Sequence, residues 1–282
     1  MKELVYPRVL LPALEHHADK VAVFDGAYES TMAVHGERVL RLADALRHEL
    51  GLGPSDRFAV MALNSHEFLE LYHAAFLGAG IVTPLNLRLA GAELQHIVRD
   101  SGARVVFVDE AFAGHLAGAL EEVRDELDLE HVVLIGDPDA DVPHDLAYED
   151  LLATGRAVVP PEPEEDDLVV LMYTGGTTGL PKGVVLDQRS EMLNLYHAGM
   201  VLGLPEHRVY LHQTPMFHAA SMTGVLGIPA TGATSVFIPL FDPGGVLDLV
   251  EQRAVSQTVM VPIMVRSGLD SPEARPERLA SL

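Results

Sequence analysis

The sequence predicts an α/β protein of mainly parallel β-sheets flanked by helices. Short apolar, β-branched runs alternate with amphipathic segments of helical period, the pattern of repeated βαβ units. Some runs, such as "LVVLM" at 168–172, are apolar throughout, as strands covered on both faces require. The 282 residues are 48% hydrophobic, enough for a buried core in one large domain or two ordinary ones.

The N-terminal stretch "MKELVYPRVLLPALEHH" holds a short apolar run broken by Pro12 and flanked by Glu3 and Glu15, without a signal peptide's charge layout. "VAVFDG" (21–26) reads as a strand. The segment 32–51 sets Val39, Leu40, Leu42, Leu46 and Leu50 at helical spacing, and Gly51 stops it. A strand at 57–63 leads into a helix capped by Ser65, whose buried face is Phe68, Leu69, Tyr72, Ala75 and Phe76. A short strand at 81–86 ends near Pro84. Helix "GAELQHIVRDSG", strand 104–109, charged helix "LAGALEEVRDELD" and strand "HVVLIGD" follow.

The run "AVVPPEPEEDD" (157–167) reads as a solvated connector stiffened by prolines. It divides a first α/β subdomain (1–156) from a second region (168–282). That region begins with "LVVLM" and continues through a helix at 190–203 and a strand running into a loop at 208–221. A strand at 234–240, a helix at 243–253 with Pro243 near its start, a strand at 256–263 and a polar tail complete it. Residues 219–241 carry no charge, but Gly224, Gly227, Pro229, Gly232 and Pro239 punctuate them. A buried strand-and-loop segment is expected there, not a membrane span.

Charge narrows the partners. With 41 acidic and 19 basic residues the formal charge is −22, a field that repels nucleic acid and anionic membrane surfaces. An anionic substrate must therefore meet a local positive site. Lysine occurs only as Lys2, Lys20 and Lys182. Cysteine is absent, which removes disulfides, thiolate nucleophiles and thiolate metal ligands and fits a cytoplasmic protein. No zinc-ligand spacing and no nucleophile elbow occurs, and no metal-ligating residue is expected.

Against that background stands "YTGGTTGLPKGV" (173–184), delivered by a strand to its C-terminal edge, where open α/β sheets bind ligands. Gly175, Gly176 and Gly179 leave backbone N–H groups free to converge on an anion. Thr174, Thr177 and Thr178 offer hydroxyl donors, and Lys182 adds a mobile cation suited to phosphate oxygens. The Walker pattern is not met: Pro181 precedes the lysine and Gly183 follows it. The alternative is a plain Gly/Thr turn between two strands.

The string resembles the phosphate-loop signature of the adenylate-forming superfamily, usually YTSGTTGxPKGV, with Gly175 in the place of serine. "NSHEFLELYHAAFLGAGIVTPLNLRLAGAEL" (64–94) and "TPMFHAAS" (214–221) resemble two further segments of that family in the expected order. The resemblance implies the N-terminal domain of the ligase fold, with a phosphate-loop and acyl-pocket region at 168–282. It implies an acid–CoA ligase that joins a carboxylate to ATP, releases pyrophosphate and passes the acyl group to coenzyme A, with Mg²⁺ assisting. Lys182 and the loop would hold the β- and γ-phosphates, and His218 would border the carboxylate pocket. Relatives that activate amino acids carry aspartate at the position of His218, so a fatty or aryl acid is expected, with Met216, Ala219, Ala220, Met222 and Gly224 as pocket or core residues. His212, Asn86 and Arg88 read as structural.

The family's later YGxTE and TGD segments and its small C-terminal domain are not found here. The expectation is an incomplete N-terminal domain, inactive alone, that tends to self-associate through an unpaired sheet edge. An inactive nucleotide-binding or interaction module that keeps only the phosphate loop is the alternative.

Overall fold

The computed structural model describes residues 3–175, 179–203 and 207–282. In chain order the helices are α1 (Pro7–His16), α2 (Met32–His48), α3 (His66–Phe76), α4 (Gly91–Ser101), α5 (Glu110–Leu120), α6 (Tyr148–Thr154), α7 (Gln188–Leu202), α8 (Met222–Ala230), α9 (Pro243–Arg253) and α10 (Pro262–Leu269). The strands are β1 (Val21–Asp25), β2 (Tyr28–Thr31), β3 (Arg57–Met61), β4 (Ile81–Pro84), β5 (Ala103–Asp109), β6 (His131–Ile135), β7 (Leu146–Ala147), β8 (Leu168–Thr174), β9 (Lys182–Asp187), β10 (Val209–His212), β11 (Thr234–Phe237) and β12 (Gln257–Thr258).

Two units result. The first comprises Met1–Pro7, Glu37–Ala62 and Glu70–Met192. Its sheet has the order β7-β6-β5-β3-β4-β8-β9, parallel except for the final β8–β9 pair. Ala59, Val106, Val108 and Leu134 of the strands pack with Leu94, Ile97 and Leu116 of α4 and α5 in one fully buried cluster. A buried ion pair braces the same unit: Arg38 Nε donates to Glu70 Oε1 at 2.7 Å, and the Tyr148 hydroxyl to Glu70 Oε2 at 2.6 Å. Glu70 is wholly buried, so these bonds compensate a charge that would otherwise be costly.

The second unit comprises Arg8–Gly36, Leu63–Leu69 and Leu193–Leu282. Its sheet runs β12-β10-β11-β1-β2, parallel except for β1–β2. Leu211, Val236, Val246 and Val250 form its core. A Cβ at Gly224 would lie 2.5 Å from the Tyr210 ring, so glycine is what lets α8 lie on β10.

The mainly parallel, helix-flanked architecture is as expected. The linear subdivision at 157–167 is not how contacts divide the chain: β8 and β9 join the first unit's sheet, and β1 and β2 the second's. Local differences have local causes. The N-terminal run is α1, with Pro12 inside it and Pro7 at its first position, where the missing N–H costs nothing. Asp109 accepts from Ala111 N at 2.9 Å and starts α5 six residues before the expected Leu116; the charged end is a 3-10 turn, Glu121–Glu126. Residues 219–241 contain the helix α8 before β11, where strand and loop were expected. The stretch 256–263 forms only the two-residue β12 before α10 begins at Pro262. No described helix is long and apolar enough to cross a membrane.

Candidate functional site

The glycine-rich loop joins β8 to β9, two antiparallel strands whose register sets Thr174 opposite Lys182 and Tyr173 opposite Gly183. Thr174, Gly175, Gly179 and Lys182 are all exposed. Gly176, Thr177 and Thr178 lie outside the described residues. The Thr174 hydroxyl donates to the Lys182 carbonyl at 3.5 Å, a weak bond across the loop mouth. Lys182 opens a strand, not a helix, so no helix dipole backs it. Positive potential here must come from loop N–H groups and the ammonium.

Both ends of the loop are clamped by α4. The Tyr173 hydroxyl donates to Asp100 Oδ2 at 2.6 Å, and His96 Nε2 donates to the Pro181 carbonyl at 3.0 Å. His96 and Asp100 are four residues apart and so share one helix face. Burial, then the bond to Asp100, push the Tyr173 hydroxyl well above its ordinary pKa, so it remains a neutral donor. α4 itself is fixed at its start by Glu93, which accepts from Ala90 N at 2.9 Å, and ends at Gly102 in the left-handed conformation (φ 58°).

The glycines differ in purpose. A Cβ on Gly175 or Gly179 would meet no described atom within 4 Å. At Gly183 a Cβ would lie 2.8 Å from Leu171 Cδ1 and 3.2 Å from the Tyr173 ring, so glycine admits Tyr173 to its bond with Asp100.

His218 belongs to the second unit and is exposed at a turn. Its N–H donates to the Pro215 carbonyl at 3.0 Å, and its carbonyl accepts from Ser221 N at 2.9 Å. Its ring lies 4.5 Å from that of Phe217. Met216 and Met222 are core residues, 0% and 2% exposed, while Ala219 and Ala220 are exposed. His212 Nε2 pairs with Ser235 Oγ at 3.1 Å and its ring stacks on Phe237. Asn86 Oδ1 accepts from Arg88 N at 3.0 Å, closing a local turn.

Three residues escape a reading of the sequence: His96 and Asp100, which act on a loop some eighty residues away, and Asn64, the hub of the His218 turn. Asn64 lies in a quoted family segment, but nothing local marks it.

The described part of the loop, exposed at Thr174, Gly175, Gly179 and Lys182, presents one cation, which suits a polyphosphate chain. It does not by itself fit Mg²⁺, since residues 173–184 contain no carboxylate. Among the described residues the one cluster with metal-ligand spacing, Asp25, His66 and Glu67, lies in the second unit.

Residues 12–282 match the family described as AMP-binding enzyme, and the chain belongs to that family. It is 31% identical over 257 residues to 4-hydroxybutyrate–CoA ligase 2 of Metallosphaera sedula, covering 88% of this chain and 46% of that protein. To feruloyl-CoA synthase of an Amycolatopsis species it is 34% identical over 268 residues, covering 93% and 49%. The inhibitor-bound N-terminal domain of FACL13 from Mycobacterium tuberculosis superimposes with a TM-score of 0.81 at 27% identity, covering 97% of this chain and 66% of that one. A long-chain-fatty-acid CoA ligase structure from Rhodopseudomonas palustris, at 24% identity and TM-score 0.86, shows the same fold. The chain spans about half the length of the curated relatives it matches.

Proposed function

We propose that this chain supplies the phosphate grip of an ATP-dependent acid–CoA ligase. The observation that carries the reading is the pairing of Thr174 with Lys182 across a loop whose two ends α4 clamps.

In the reaction a carboxylate oxygen attacks the α-phosphorus of ATP, the bond to the bridging oxygen breaks, and pyrophosphate leaves. The acid is already ionised at neutral pH, so little proton transfer is needed. The obstacle is an anion approaching an anion. Loop N–H groups and the Lys182 ammonium hold the β- and γ-phosphates and offset charge that builds on the leaving group. His218 steers the incoming carboxylate. The sulfur of coenzyme A then attacks the acyl carbon, the bond from that carbon to the AMP phosphate oxygen breaks, AMP leaves, and the thiol proton passes to solvent. With His218 where amino-acid-activating members carry aspartate, a fatty or aryl acid is favoured.

The 282-residue chain alone binds the phosphate tail without turnover. Calorimetry with ATP and with tripolyphosphate should show binding that Lys182→Ala weakens, and acid-dependent exchange of labelled pyrophosphate into ATP should be absent. Exchange by the chain alone would refute the inactivity; phosphate-tail binding indifferent to Lys182 would refute the grip.

A further inference from the structure

We infer that Asn64 is the positioning residue for His218, fixing the turn that presents its ring. Parallel strands β10 and β11 end side by side at His212 and Phe237, where the chain leaves the sheet. The Asn64 side chain gathers them. Its Nδ2 shares two hydrogens among the carbonyls of His212 at 3.2 Å, Thr214 at 3.2 Å and Ile238 at 3.3 Å, and its Oδ1 accepts from Met216 N at 2.8 Å. Its backbone N–H donates to the Pro239 carbonyl at 3.3 Å. Asn64 is 3% exposed, so every one of these bonds is shielded from water.

From Met216 the order passes along the turn. The Ser221 hydroxyl bonds to the carbonyls of Met216 at 3.0 Å and His218 at 2.7 Å, while His218 N closes on Pro215. Thr214 Oγ1 donates to the Val259 carbonyl at 2.7 Å and anchors the turn's other side. A carboxamide alone, with donor and acceptor on one short stem, satisfies carbonyls of two strand ends and an N–H of the turn together. Truncation removes these bonds from the Thr214, Ile238 and Met216 backbone groups, while the His212 carbonyl keeps its bond from Ile238 N, and so loosens the segment that carries His218.

This inference rests on the proposed role of His218, but its test does not use the acid. Side-chain NMR of the histidines reads the His218 ring, assigned by its loss in His218→Gln, while amide exchange reads Met216. Asn64→Ala should move the His218 resonance and speed Met216 exchange about tenfold, as the loss of one buried hydrogen bond predicts. Leu14→Ala, a cavity elsewhere in the same unit, should leave the His218 ring unmoved. A His218 resonance that ignores Asn64→Ala, or shifts equally in Leu14→Ala, overturns the inference. Should Asn64→Ala not fold, the unaltered protein decides: Met216 N–H must exchange as slowly as the β10 amides, and an unprotected Met216 refutes the assignment. The role of His218 toward the acid fails separately, if His218→Ala leaves acid binding intact.

Discussion

The Tyr173 hydroxyl donates to Asp100 Oδ2 over 2.6 Å, tying the last turn of α4 to the strand that enters the glycine-rich loop. Because the folded protein raises the pKa of Tyr173, the unfolded chain loses this proton first as pH rises. Stability from this group is therefore complete below about pH 10, the unfolded value, and is lost above it. Tyr6, Tyr72 and Tyr210 are raised by burial too, so Tyr173→Phe should reduce, not abolish, the alkaline fall. Denaturant titrations from pH 8 to 11 measure it.

Lys182→Ala should weaken ATP and tripolyphosphate binding at least about tenfold, the scale of one charge-assisted phosphate contact. Adenosine affinity should not change. Calorimetry at fixed ionic strength makes the comparison, and equal loss for adenosine would place Lys182 elsewhere.

The loop glycines should respond differently to substitution. Gly183→Val forces atoms against Leu171 and Tyr173 and should cost about 1–3 kcal/mol. Gly175→Ser enters open space and should change stability by less than about 0.5 kcal/mol. Urea midpoints of the two variants test the contrast.

Arg38→Ala strands the wholly buried Glu70 carboxylate and should destabilise by about 3–5 kcal/mol. Adding Glu70→Gln removes the orphaned charge and should recover part of that loss. A double variant no more stable than Arg38→Ala alone would deny the coupling.

On the acid side, three carboxylates are held below their ordinary range. The Arg156 hydrogen bond does this for Asp44, the Arg104 hydrogen bond for Glu130, and the Leu4 and Glu3 N–H groups for Glu165. Their contribution is present above about pH 4 and is lost as pH falls through the lowered folded values. Asp44→Asn should flatten the acid limb of a stability–pH curve without altering its alkaline limb.

Much of this molecule is written locally. Alternation of β-branched runs with helical periods specified the α/β class, and the strand expected at 104–109 and the helix expected in "GAELQHIVRDSG" form at 103–109 and 91–101. The string at 173–184 carried the family resemblance on which the proposed phosphate grip rests, because its glycines, hydroxyls and cation stand close together along the chain. Sheet membership was not legible. Interstrand hydrogen bonds join residues far apart in sequence, such as Val23 with Ser235 and Val82 with Val170, and neither partner carries a local mark of the other. Polar bracing was hidden for the same reason. His96, Asp100 and Asn64 look like ordinary surface or cap residues until folding sets them against the Pro181 carbonyl, the Tyr173 hydroxyl and the Met216 amide; only for Asn64 does full burial add to the strength of the bond.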